Sequence, residues 1–148
     1  MVVKIENTDF WVTPGLYQNN RQFIKQGLDS IANSYGIKIS TPELKGVFTL
    51  KREVNQKSSI SIRNVFRVEL ISGTLKNPVG VEEIKWLSID EALKQITFPH
   101  INHMIKQVVQ NPEILWGGSI LQYKEGDKFK SKILEEFYPM LHTDKSKR

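Results

Sequence analysis

The chain contains no cysteine. That excludes disulfides, thiolate nucleophiles and cysteine-bound metals. It also has no apolar run approaching the about 18 residues of a membrane-spanning segment. The opening residues, MVVKIENTDF, lack the basic start, long apolar core and small-residue cleavage site of a secretory leader. A cytoplasmic protein with no membrane partner is therefore expected. Gly117-Gly118 is not part of a phosphate loop, because no Gly-Lys-Ser/Thr completes the pattern. No internal repeat or linker interrupts the chain. Residues 1–141 read as a single domain and 142–148 as a disordered tail.

What is present suits a globule with a real core: 148 residues, of which 39% are hydrophobic. The net charge is +5, a surplus that attracts acidic ligands or nucleic acid at long range. Part of it is local, in Lys124, Lys128, Lys130 and Lys132. RNA contact through this segment is one reading, though no nucleic-acid motif accompanies it.

The stretch from Pro14 to Ile37 organises the rest. Pro14-Gly15 predicts a turn. Asn19 and Asn20 are candidate helix caps, and Phe23, Gly27, Leu28, Ile31 and Tyr35 recur at helical spacing. Gly27, inside that helix, implies a close contact with a sheet, and Gly36 is the expected stop. Residues 44–54 and the run from Ile60 to Leu70 read as strands joined by a polar loop at 55–59. A loop from Gly73 to Gly80 and a strand at 81–87 follow. Ser88 and Glu91 form a capping box for a helix. A second helix follows Pro99, then a strand at 119–123. Ile133, Leu134 and Phe137 fit a final helix within 129–141. The mixture predicts an α+β protein with a mixed sheet. Its N-terminal side is short, so either a first strand is missing or a partner, such as a second copy in a homodimer, covers that edge.

Functional residues are few. His100 and His103 share a helical face but lack an acidic third ligand, so no metal site is expected from them. Trp86 and Trp116 are the aromatic candidates for stacking on a base. Trp86 is expected to seal the sheet against a helix, and Trp116 to wall a cleft.

The central stretch resembles the signature of the Nudix hydrolase family. Gly15, Ile31, Gly36 and Ile37 stand at that signature's glycine and aliphatic positions. Trp11-Val12-Thr13-Pro14-Gly15 is similar to the segment leading into it. Glu82–Leu87 followed by Ser88–Leu93 is similar to the family's later strand and helix. The resemblance spans roughly residues 2–110. It implies a Nudix-like α/β/α sandwich with a mixed sheet, with the first strand in question. It also implies Mg²⁺- or Mn²⁺-dependent hydrolysis of nucleoside diphosphate derivatives.

The charged positions depart from the family. Arg21, Ser30, Asn33 and Ser34 replace its glutamates, and Asp29 replaces its arginine. In the family those glutamates hold a hard divalent cation, which wants carboxylate oxygens and which activates water and offsets phosphate charge. The expectation is a degenerate member, inactive by the family mechanism and without a metal cofactor, that binds a nucleotide-like or other phosphate-containing small molecule. Gly15, Arg21 and Trp116 are its candidate ligand-binding residues. One alternative is a hydrolase with a relocated Mg²⁺ or Mn²⁺ site using Glu82 or Glu83, with Glu43 as a further candidate ligand. Another is a non-catalytic RNA-binding or protein-interaction module.

Overall fold

The computed structural model describes residues 1–16 and 22–140. Arg21, the Asn19-Asn20 cap and residues 142–148 lie outside them. The described chain divides into two units, each built from two separate segments. Residues 1–43 and 67–98 make the first, and residues from 44–66 and 99 onward make the second.

In the first unit, β1 (Val2–Ile5) is flanked by β2 (Trp11–Val12) and β7 (Val81–Lys85), both antiparallel to it. β3 (Ile37–Ile39) pairs with β6 (Leu70–Gly73) in a separate ribbon. Helix α1 (Ile24–Ser34) buries Gly27 and Ala32. Ala32 joins Val3, Tyr35 and Ile37 in one apolar cluster, with Val12, Ile31 and Ile84 packed around it. Gly36 ends the helix as expected. Its φ is +76°, and an added Cβ would collide with the Thr74 carbonyl oxygen.

Helix α2 (Ile89–Gln95) starts at the predicted capping box. The Ser88 hydroxyl accepts from the Glu91 amide at 3.3 Å, and the Ser88 amide donates to Glu91 Oε2 at 3.1 Å. Behind it, the Trp11 amide donates to Thr97 Oγ1 at 2.8 Å and the Thr97 amide to the Trp11 carbonyl at 3.0 Å. This holds the short strand β2 in place.

The second unit is a four-stranded sheet covered on one face by α3 (Pro99–Gln110). Its strand order is β5 (Lys57–Arg67), β4 (Glu43–Val54), β8 (Trp116–Glu125), β9 (Lys128–Pro139). β8 runs parallel to β4, and β9 returns antiparallel. Leu50 faces Ile120, which faces Ile133, so one apolar row crosses three strands. Phe48, Leu50 and Ile120 are almost fully enclosed beneath Met104 and Val108 of α3. Burying each such side chain contributes on the order of 2 kcal/mol.

Several expectations need correction. Residues 128–139 form β9, not a helix. Gly27 is crowded by the Leu16 side chain rather than by a sheet. The run from Ile60 to Leu70 divides between β5 and β6. The loop at 55–59 shrinks to Asn55 and Gln56, both at positive φ. The strand at 81–87 stops at Lys85, and Trp86 is 56% exposed, so it seals nothing.

Candidate functional site

Helix α1 turns one face to the core and the other outward. Phe23, Lys25, Gln26, Asp29, Ser30 and Asn33 line an open depression of about 570 Å³ on that outer face. Their spacing follows from the packing of Ile31, Ala32 and Tyr35 on the opposite side. Phe23 is 83% exposed at the N-cap of the helix, and its own side chain gives the first amides no hydrogen bond. Lys25 and Asp29 pair at 2.8 Å, one turn apart, as the sequence spacing predicts. Both ends are solvent-exposed, so the pair adds only a few tenths of a kcal/mol. The Ser34 hydroxyl donates back to the Ile31 carbonyl at 2.6 Å.

Asp29, Ser30 and Asn33, singled out in the sequence, thus share this depression, and Ser34 closes the same helix. The residues fit a divalent-cation cluster poorly. The lining contains one carboxylate, Asp29, and Lys25 already holds it. Among the described residues, no three His, Cys, Asp or Glu side chains come together as metal ligands.

The other candidates are dispersed. Gly15 is exposed, and an added Cβ would meet nothing closer than the Thr13 carbonyl oxygen at 3.9 Å. Arg21 lies outside the described residues. Glu82 pairs with Lys4 at 3.2 Å, and Glu83 lies 3.9 Å from Lys85. Glu43 opens β4 and is exposed. Trp116 is 9% exposed in the core of the second unit, where its indole N–H donates to the Asn111 carbonyl at 3.3 Å. Lys128, Lys130 and Lys132 lie along one side of the edge strand β9, where charge discourages another chain from pairing.

The chain is similar to the crystal structure of a mutator MutT protein from Bacillus halodurans. The superposition has a TM-score of 0.69 at 19% identity and covers 90% of this chain and 88% of that one. The fold is Nudix-like. No protein-family model and no curated protein sequence matches the chain. The Nudix-like α/β/α class with its mixed sheet is therefore established by structure, while the identity is too low to carry any activity across. No described helix is long and apolar enough to cross a membrane.

The second unit buries two polar side chains, His100, which the sequence offered only as a metal ligand, and Gln122, which nothing in the sequence singled out. His100 is 7% exposed on the first turn of α3, and Gln122 is 3% exposed on β8. Burial, then Arg63, Arg52 and His103, push the His100 pKa down from 6.5 to about 4. Burial and Lys106 lower that of His103. Arg52 follows Phe48 and Leu50 in the two-residue alternation along β4 but is itself exposed.

Proposed function

We propose that this Nudix-like protein does not hydrolyse diphosphates by a metal–glutamate mechanism, and that it binds a nucleotide-like, anionic small molecule. The observation that carries this reading is the outer face of α1. Where the family's carboxylates would stand, it presents Asp29 tied to Lys25, with Ser30 and Asn33 beside it. Such a face has too little negative charge to concentrate Mg²⁺ or Mn²⁺, so it has no means to lower the pKa of an attacking water. Hydroxyl, amide and ammonium groups there suit neutral and anionic hydrogen-bond acceptors instead. The net charge of +5 favours anions over cations at long range.

The test is calorimetry against a panel of nucleoside mono-, di- and triphosphates, with and without Mg²⁺ or Mn²⁺, with released phosphate assayed in parallel. Metal-independent binding without product release is the expected result. Metal-dependent turnover would overturn the proposal.

A further inference from the structure

The four-stranded sheet of the second unit ends in two unlike edges, β9 on one side and β5 on the other. β9 carries Lys128, Lys130 and Lys132, a common protection of an open edge. β5 instead exposes Ile60 and Ile62, at 69% and 67%, and no proline or carboxylate interrupts it. The turn decides which backbone groups lie on its open edge. Asn55 and Gln56, both at positive φ, make a two-residue hairpin connection that closes Val54 and Lys57 as a hydrogen-bonded pair. By alternation, the amides and carbonyls of Ser58, Ile60, Ile62 and Asn64 point away from β4. Among the described residues no strand takes them up.

Side chains alternate as well. Val65 packs on the α3 cluster, so Ser61 and Arg63 share its face and Ile60 and Ile62 stand on the opposite one. The N-terminal strand, where the sequence suggested a second copy, is an inner strand here: β1 lies between β2 and β7. The open template is β5, and register decides what fits it. Pair β5 antiparallel with its own copy, with the twofold axis at Ser61. Ile60 then faces the partner's Ile62, and Ile62 the partner's Ile60. Lys57 faces the partner's Val65 and Arg63 the partner's Ser59, so no two like charges are directly opposed. Every outward backbone group from Ser58 to Asn64 meets another outward group. Slipping the register by two residues either way sets one isoleucine of each copy against serine or asparagine. Pairing β5 with β9 of another copy would bring Lys57 and Arg63 against the lysines of β9, and a head-to-tail contact of that kind does not close.

We propose that β5 is a dimer interface. Two copies of this chain join by antiparallel β5–β5 pairing about an axis at Ser61, which makes one continuous sheet of the two second units. Ile60 and Ile62 of both copies then form a single apolar patch on the face away from α3. The contact is confined to one strand a side, at the small end of specific interfaces and below about 1,200 Å² in total. That area suits a dimer that dissociates in the micromolar range. No residue of α1 is among those named, so the dimer stands or falls independently of the ligand reading.

Sedimentation equilibrium of the full chain across the micromolar range should show monomer and dimer in exchange. Ile62→Lys sets a cation against the partner's Ile60 on both sides of the axis and should weaken association more than about tenfold. Ile62 is mostly exposed, so thermal unfolding of this variant should stay close to that of the parent. A second variant reads the register. The chain has no cysteine, so Ser61→Cys introduces a single thiol. Ser61 meets its own copy as a non-hydrogen-bonded pair, with Cα atoms about 4.5 Å apart, inside the roughly 4.4–6.8 Å range of disulfides. Mild oxidation should give a covalent dimer of Ser61→Cys but not of Ser59→Cys, which faces the partner's Arg63. A chain that is monomeric at every concentration overturns the proposal. So does a dimer indifferent to Ile62→Lys, or one that Ser59→Cys links as readily as Ser61→Cys. A monomer that instead binds a labelled peptide of alternating glutamate and isoleucine would mean that β5 receives a foreign strand, and overturns it too.

Discussion

The rings of Phe48 and Phe137 meet edge to face with centroids 5.4 Å apart and planes at 66°. Phe48 is fully enclosed, and Phe137 packs over β8 at Gly118. An added Cβ at Gly118 would run into Phe137, with Cε1 at 3.0 Å. Gly118→Ala should therefore push Phe137 off its partner and cost about 1–3 kcal/mol, as overpacking does. A fall in the urea midpoint at constant slope would register it, and Phe137→Leu in the same background should recover part of the loss. An unchanged midpoint would mean that the ring retreats freely.

Stability should fall with acid through one identifiable group. The folded His100 pKa of about 4 lies below the ordinary 6.5. The unfolded chain therefore binds more protons between those values, and stability rises with pH across that window. At neutral pH the contribution is fully present. It is lost progressively as pH drops from about 6.5 toward about 4 and levels off below, for a total on the order of 3 kcal/mol. Thermal unfolding at a series of pH values should show this slope, and His100→Gln should flatten most of it. The smaller slope left behind belongs to His103, lowered in the same direction.

The β4–β5 hairpin turns on Asn55 and Gln56, with φ of 53° and 62°. Asparagine tolerates that conformation; glutamine does so at a cost. Gln56→Gly should raise stability by about 0.5–1 kcal/mol, because the turn then has the Asn-Gly sequence that such hairpins prefer. Differential scanning calorimetry would show a higher melting temperature. A lower one would mean that the unfolded-chain entropy of glycine outweighs the relief.

Ser88→Ala removes both the hydroxyl acceptor for the Glu91 amide and the partner of the Glu91 carboxylate. The loss should be about 1 kcal/mol. Amide exchange confined to the first turn of α2 would distinguish cap fraying from global unfolding.

The sequence carried the parts of the fold that local chemistry decides. Gly36 ended α1, Ser88 with Glu91 began α2, and Lys25 met Asp29, because each depends on neighbours within one turn. β9 was misread for the opposite reason. Phe129, Ser131 and Ile133 alternate as a strand should, but Ile133, Leu134 and Phe137 also fit a helical stripe. What decides is pairing with β8, whose register shifts around Ser119 place Phe137 back on the core face. The row of Arg52, Gln122 and Ser131 was hidden in the same way. Its members come from distant segments and become neighbours only through strand register. On α1 the sequence already contained the chemistry, since Asp29, Ser30 and Asn33 needed only the helix to share one face.

The parallel pairing of β4 with β8 carries a cost in time. Gly46 must wait for Trp116 and Leu50 for Ile120, so a ribosome adding about 5–20 residues per second leaves β4 without its inner neighbour for several seconds. Throughout that interval Phe48 and Leu50, later wholly enclosed, lack β8 beside them, and until residues 99–110 are made they lack α3 above them as well. The nascent hairpin is thus a natural client for a holding chaperone. Translational pauses before Trp116 would lengthen its exposure, and an mRNA truncated there would release a chain whose β4 has β5 on one side and its other edge open to another copy of itself.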